Sequence, residues 1–421
     1  MTRSTWSAIV AILALALPAG AAAAPLTLED ALARARGEQP SVRVARAQVE
    51  QAAAQVEQID AGGRPTLSLG AGLDVQATRP PGLLEPSTGA SLDLTGRWNL
   101  WDFGQRAARR RAGVASLAAI RWSATGTMRD VERQVTDAYW NALASKRLIE
   151  VAAVAVAAEE RHLDQAERLI AADARAPIEL AQIRSTLAQA RLALVTADND
   201  HAQARVALEE AMGVVMEDGW DVADGWPAAV AGEDDELATL LSRVERASDE
   251  LAAARARRAA ADATVAADAT ASRPSLDATV RAQTSTPGLS SVTGGWSAGV
   301  SLSWSLWDGG ARRATLRRSR AERDAAAAEV AAVGLRLRSD VEAARLAVRG
   351  AKARQQAAAE AEAAAAAALG LAEARYRAGA GSAIELADAQ DRVTAAATAQ
   401  VQADQALARA RTTLARLLAS S

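Results

Sequence analysis

Cysteine is absent from all 421 residues, which excludes disulfides, thiolate metal clusters, a cysteine nucleophile and lipid attachment at an N-terminal cysteine. Histidine occurs twice, at His162 and His201, 39 positions apart and without companion ligands, so ordinary acid/base chemistry and metal binding are poorly provided for. Both histidines are expected on the helix surface. Aromatic residues are 3% of the chain, with one phenylalanine and two tyrosines against ten tryptophans. Neither charge sign dominates: 48 basic against 51 acidic residues leave a net charge of −3, which removes the electrostatic basis for nucleic-acid binding. Long apolar runs are missing as well. The longest, Ala8 to Leu17, has ten residues, follows Arg3 and precedes Pro18 and the small residues Ala19 to Ala24. That layout reads as a secretory signal over residues 1–24 and is too short to cross a bilayer. If the mature chain enters a membrane, it must do so as strands.

What is present is a duplication. Leu100-Trp101-Asp102 with Gly104 returns as Leu306-Trp307-Asp308 with Gly310, 206 positions on. The same offset links Ile178-Glu179-Leu180-Ala181 to Ile384-Glu385-Leu386-Ala387 and Ala166-Glu167 to Ala372-Glu373, whereas Arg64-Pro65 and Arg273-Pro274 are 209 apart. The repeats span 25–212 and 236–421, and the acidic, glycine-bearing stretch 213–235 between them reads as a linker.

Each repeat changes its hydrophobic period twice. Thr27 and Asp30 form a capping box, and Val42, Ala45, Val49, Ala52, Val56 and Ile59 step by three and four along a helix of about 36 residues. Gly62-Gly63-Arg64-Pro65 stops it. Strict alternation then predicts strands over 65–77 and 90–102, with Leu67, Leu69, Leu73, Leu92, Leu94 and Trp98 opposite Ser68, Asp74, Asp93, Thr95 and Arg97. The second repeat predicts strands over 274–284 and 294–307 in the same way. These lengths are about twice the soluble norm and suit a tilted outer-membrane strand. Long alanine- and arginine-rich helices follow, Gln105 to Asp173 and Ala311 to Arg377, each about 100 Å at the helical rise. A helix of some 36 residues closes each repeat, Pro177 to Met212 and Ala383 to Leu418.

Strands can cross lipid only as a closed barrel, and four strands cannot close one. Several copies must therefore share a barrel, unless the chain is a soluble secreted helical coiled-coil scaffold carrying two hairpins. Trp98, Trp101, Phe103, Trp304 and Trp307 fit an interfacial belt. Arg106, Arg109, Arg110 and Arg111 after one strand pair, and Arg312, Arg313, Arg317, Arg318 and Arg320 after the other, oppose the helix dipole, so they are expected to meet lipid phosphates or acidic neighbours at the barrel rim.

The order and duplication of these pieces resemble the TolC-like outer-membrane efflux proteins across the whole mature chain. The residues that carry the resemblance are Leu26-Thr-Leu-Glu-Asp-Ala-Leu with Gln39-Pro40, the Arg-Pro pairs before the first strands, the two Leu-Trp-Asp-x-Gly motifs, and Tyr376-Arg-Ala-Gly379 before Ile384-Glu385-Leu386. The resemblance implies an α+β membrane protein: a trimer sharing one twelve-stranded barrel, continued by an α-helical coiled-coil tunnel with an equatorial band. It also implies a passive duct in the outer membrane of a two-membrane bacterium, serving tripartite efflux or type I secretion with a periplasmic adaptor and an inner-membrane transporter, and needing no cofactor or catalytic residue. Gate residues map onto Glu179, Glu385 and Asp388, whose carboxylates would form rings, and onto Tyr376, which would bond Glu179. The position that often holds a gate arginine is Gly381, and Ile170 and Asp173 stand where the second repeat has Tyr376 and Gly379.

Overall fold

A computed structural model describes residues 25–78, 85–172, 176–217, 219–287 and 292–418. The expected signal segment 1–24, the hairpin residues 79–84 and Asp173 lie outside these. The described chain runs α1 (Leu28–Glu38), α2 (Pro40–Ala61), β1 (Thr66–Thr78), β2 (Glu85–Trp101), α3 (Gln105–Ala171) and α4 (Pro177–Met212). It then repeats the order as α5 (Leu237–Ala247), α6 (Asp249–Thr270), β3 (Ser275–Pro287), β4 (Thr293–Ser303), α7 (Ala311–Arg377) and α8 (Ala383–Leu418).

The helix before the strands, expected as one piece, is broken in both repeats. Gln39 is extended (φ −61°, ψ 121°) because Pro40 at the first helical position crowds the residue before it out of the helical region. In the second repeat the break falls at Ser248, whose hydroxyl accepts from the Leu251 N–H at 3.2 Å and caps α6.

The four strands form one antiparallel sheet in the order β1-β2-β3-β4, so the hairpins join through β2 and β3. Three strand bounds differ from the sequence reading by more than one residue. β3 runs to Pro287 rather than 284, where Pro287 pairs with Gly89. β2 starts at Glu85 rather than 90, because Glu85 to Gly89 pair in register with Thr78 to Asp74. β4 ends at Ser303 rather than 307, because its pairing to β3 stops where β3 begins, Ser275 opposite Ser303.

The sheet is inside out by the standards of a soluble protein. Leu69, Leu94, Ala282 and Trp296 lie in one cross-strand row on the apolar face, where Leu73 is 85% and Trp296 80% exposed. On the other face Ser68, Thr95, Arg281 and Ser297 share a row; Arg281 Nε donates to Thr95 Oγ1 at 3.2 Å and Thr95 is only 5% exposed. Both faces are largely uncovered in the single chain, and water does not favour leaving a whole face of leucine, valine and tryptophan open; a lipid exterior does.

Below the sheet α3 packs against α2 near its start and α4 near its end, α7 against α6 and α8, and α3 against α6 across the repeats. The largest core lies mid-way along the helices and joins Leu26, Val42, Val135, Trp140, Leu143, Leu208, Met212 and Trp220. Stretch 213–235 is packed rather than loose. Val222 is fully buried and bridges Leu26, and Tyr139 Oη donates to the carbonyls of Leu26 and Ala223, each at 3.1 Å. Burial raises the Tyr139 phenol above its ordinary range, so it stays protonated and donating. Glu233 holds this stretch to the second repeat through Arg411 (3.1 Å) and Lys352 (2.7 Å). Burial alone would raise its carboxyl, but the hydrogen bonds from Lys352, Arg411 and the Val230 N–H hold it down at about 2.

Candidate functional site

Two ends of the molecule carry the candidate residues. At the sheet end the recurring Leu-Trp-Asp-x-Gly motif is a helix start. Gly104 takes a left-handed φ of 89°, which lets the chain turn so that Asp102 Oδ1 accepts from the Gly104 N–H (3.1 Å) and Oδ2 from the Arg106 N–H (2.7 Å). Asp308 does the same for the N–H groups of Gly310 (3.1 Å) and Arg312 (2.9 Å), with Gly310 at φ 95°. One carboxylate thus satisfies two free amides at the positive end of each long helix.

The aromatic candidates cluster at that level. Trp98 Nε1 donates to the Gly63 carbonyl at 3.1 Å, and Trp304 Nε1 to the Ser272 carbonyl at 3.0 Å, tying each second strand to the turn before the first. Trp101 and Phe103 meet edge to face at 6.1 Å, and all five belt residues, Trp307 included, are exposed. The rim arginines divide into two groups. Arg110 Nε holds both Asp60 oxygens (2.9 and 3.1 Å), and Arg312 holds Asp308 (2.7 Å) and Ser305. Among the described residues Arg109 reaches Gln105 of its own helix, and Arg313 is exposed.

At the distal tip Tyr376 is buried among Ala166, Ile183, Ala383 and Leu386, and its hydroxyl donates to Glu179 Oε2 at 3.2 Å. This joins the end of α7 to the start of α4, second repeat to first. Ser382 caps α8 by accepting from the Glu385 N–H. The turn is tight at Gly381, where a Cβ would sit 3.1 Å from Glu385 Oε2 and 3.3 Å from the Tyr376 nitrogen. A cation reaches the acid from elsewhere: Arg375 Nη2 lies 3.5 Å from Glu385 Oε1. Arg375 was not singled out from the sequence, although a cation in the last turn of a helix is a recognisable signal.

Glu385 and Asp388 do not share surroundings. Asp388 lines a cavity of about 310 Å³ with Glu159, His162, Gln182, Thr186 and Asp391. Here the surface placement of the histidines fails. His162 is buried, with Nδ1 3.6 Å from Glu159 and Nε2 3.6 Å from Glu373 of α7, and Thr186 Oγ1 donates to Glu159 at 2.8 Å. His201 is mostly covered, against Ser145 Oγ at 3.0 Å and Asp221 at 3.3 Å. Both sit where two helices close over them, which helix periodicity in one chain segment cannot reveal. Burial, and then the charges of Glu159 and Asp388, raise the Asp391 carboxyl above its ordinary range. No group of three acidic or histidine side chains among the described residues is arranged to hold a metal ion, and no described helix is long and apolar enough to cross a membrane.

A sequence profile of the outer membrane efflux protein family matches residues 31–214 and 240–420, one match per repeat, and the chain belongs to that family. Among solved structures it is similar to the MtrE outer membrane channel of Neisseria gonorrhoeae in its open state, with 21% identity, 93% of this chain and 88% of that chain covered, and a TM-score of 0.74. The outer membrane protein VceC of Vibrio cholerae aligns at 18% identity over 93% of this chain and 96% of that one, with a TM-score of 0.73. For the CmeC outer membrane channel of Campylobacter jejuni the values are 16%, 93%, 85% and 0.76. No curated protein sequence matches the chain. The fold is that of the outer-membrane efflux channels, which are conduits rather than enzymes.

Proposed function

We propose that three copies of this chain share one twelve-stranded barrel in the outer membrane, and that their helices continue it as a tunnel through which solutes pass without any reaction. The sheet carries this reading: one uncovered face of leucine, valine and tryptophan, one polar face that includes Ser68, Thr95, Arg281 and Ser297, and strands β1 and β4 whose outer edges have no neighbour among the described residues. In this reading residues 1–24 direct export and are removed, and the mature chain is not lipidated. An energised inner-membrane transporter and a periplasmic adaptor supply the cargo, in efflux or in type I secretion.

The distal tip is the gate. Tyr376 and Glu179 hold the α7–α8 turn against α4, and Asp388, with Glu385, sets a negative potential where three tips meet, favouring cations over anions. Trp98, Trp101, Phe103, Trp304 and Trp307 mark the membrane interface, and Arg109 and Arg313 are free to meet lipid phosphates. The test is reconstitution of the detergent-purified protein in planar bilayers. The reading expects a mass of three copies and cation-preferring channels whose preference falls in Glu385→Gln/Asp388→Asn. Recovery as a water-soluble monomer without conductance would replace it with the helical scaffold, and an unchanged ion preference would remove the carboxylate rings alone.

A further inference from the structure

The crevice beside Asp388 extends beyond the residues assigned to the gate. A second cavity, of about 340 Å³, shares Glu159, Thr186 and Asp391 with the first and runs on between α3, α4 and α8. Carboxylates meet there without a strong cation: among the described residues that line the two cavities there is neither lysine nor arginine, although the chain holds 48 of them. Arg184 and Arg191 of α4 pair instead with Glu167 and Glu160. Glu159 is 5% exposed; its Oε2 accepts from Thr186 Oγ1 at 2.8 Å, its Oε1 lies 3.6 Å from His162, and each oxygen keeps a second lone pair. A separate observation marks the same place. Gln390 is 4% exposed and lines the second cavity; its Nε2 donates to Thr394 Oγ1 at 3.4 Å, while its Oε1 is buried with no partner among the described residues. A buried acceptor without a donor is costly, and this one borders the acids.

We propose that this crevice binds a primary alkylammonium ion, with its three N–H groups directed at Glu159, Asp391 and the Oε1 of Gln390 and its alkyl chain laid along Leu148, Val151 and Ala155. A primary ammonium brings three donors and no acceptor, which is what two carboxylates and one unbonded amide oxygen lack. A bare metal ion fits less well: no three acidic or histidine side chains among the described residues are arranged for one, and the wall of Leu148, Val151, Ala152 and Ala155 offers it no ligand. Burial, and then the charges of Glu159 and Asp388, raise the Asp391 carboxyl, and a bound cation offsets the second of these. The site occurs once per chain. By the 206-residue offset Glu159, Gln390 and Asp391 correspond to Ala365, Arg184 and Ser185, so the same register in the other repeat holds no acid and one cation. The crevice lies within one chain and stands apart from the shared-barrel reading.

The test is equilibrium binding of hexylammonium to the detergent-purified protein, followed by saturation-transfer NMR with empty micelles as the blank. The wild type should bind it saturably. Glu159→Gln, which keeps an acceptor for Thr186, and Asp391→Asn, at an exposed position, should each weaken binding about tenfold or more. Glu160→Gln, one residue further along α3 and exposed, should leave it unchanged. Hexyltrimethylammonium, with the same charge and chain but no N–H, should bind about tenfold more weakly. Absence of saturable binding, equal binding of the two ions, wild-type affinity in both Glu159→Gln and Asp391→Asn, or displacement of hexylammonium by an equal concentration of magnesium ion would each overturn the site.

Discussion

The sheet end and the distal tip obey different rules. At the sheet end three devices are duplicated: an aspartate cap, a left-handed glycine, and a tryptophan bonded to the turn before the first strand. At the tip the duplication lapses. Glu159 and His162 on α3 correspond by the 206-residue offset to Ala365 and Ala368, Pro177 to Ala383, and Tyr376 to Ile170, so the bond to Glu179 is made once per chain. In the proposed barrel both halves meet the same lipid and lumen at one end and need the same solution there. In the proposed gate the unequal pair of tips would let one half swing while the other stays, which two identical coiled coils would not do. In that proposal duplication marks where the structure closes, and its loss marks where it opens.

The comparison breaks most severely if the two sheet faces are interchangeable. Leu73→Arg places a charge near the middle of a lipid-facing strand and should cost about 2–4 kcal/mol, whereas Ser91→Arg on the lumen face should stay within about 1 kcal/mol. Thermal or urea unfolding of the detergent-solubilised protein reads the difference; equal losses would deny that the faces meet different solvents. The next effect concerns the segment between repeats. Glu233→Gln leaves Lys352 and Arg411 without their carboxylate and should cost roughly 2–3 kcal/mol. Because the folded pKa of Glu233, about 2, lies below its ordinary value of 4.5, its contribution is complete above that ordinary value and is lost as the pH falls toward 2. The wild-type minus variant difference in unfolding free energy should thus be flat from neutral pH to about 5 and shrink below it.

Two smaller effects test the symmetry itself. Asp102→Ala and Asp308→Ala each remove a helix cap and should each cost about 1 kcal/mol, Asp308→Ala somewhat more because it also releases the Arg312 side chain; a severalfold disparity in unfolding measurements would mean that one repeat carries the junction. Tyr376→Phe deletes one hydrogen bond worth about 0.5–1.5 kcal/mol and should raise the open fraction of single channels roughly two- to twelvefold. Ile170→Val at the matching position should leave that fraction alone. If both variants opened the channel alike, the tips would be functionally symmetric.

Strands and long helices were legible in the sequence because their cause is local: alternating residues such as Leu67 to Val75, and proline-free alanine-rich runs. The Leu-Trp-Asp-x-Gly motif was visible as a repetition, but its role as an Asp102 or Asp308 cap depends on the φ of the glycine. Gln39-Pro40 was visible too, yet a proline at a helix start and a proline that splits a helix look the same until the chain is folded. Burial of His162 was not readable at all. It arises from Glu373, 211 residues away, and nothing in the surroundings of His162 along the chain announces that neighbour. The end of β4 is a different case: the alternation runs on past Ser303, but β3 begins at Ser275 and no strand among the described residues pairs with the rest.

The most direct test of the inverted sheet is a cysteine scan along β1 in the cysteine-free background, read by a water-soluble thiol reagent and by quenching of a thiol-linked fluorophore with brominated lipid. The account predicts a period of two: labels at 67, 69, 73 and 75 quenched by lipid, and cysteines at 68, 72 and 74 reached from water. Uniform reaction with the water-soluble reagent, without lipid quenching at any position, would contradict it.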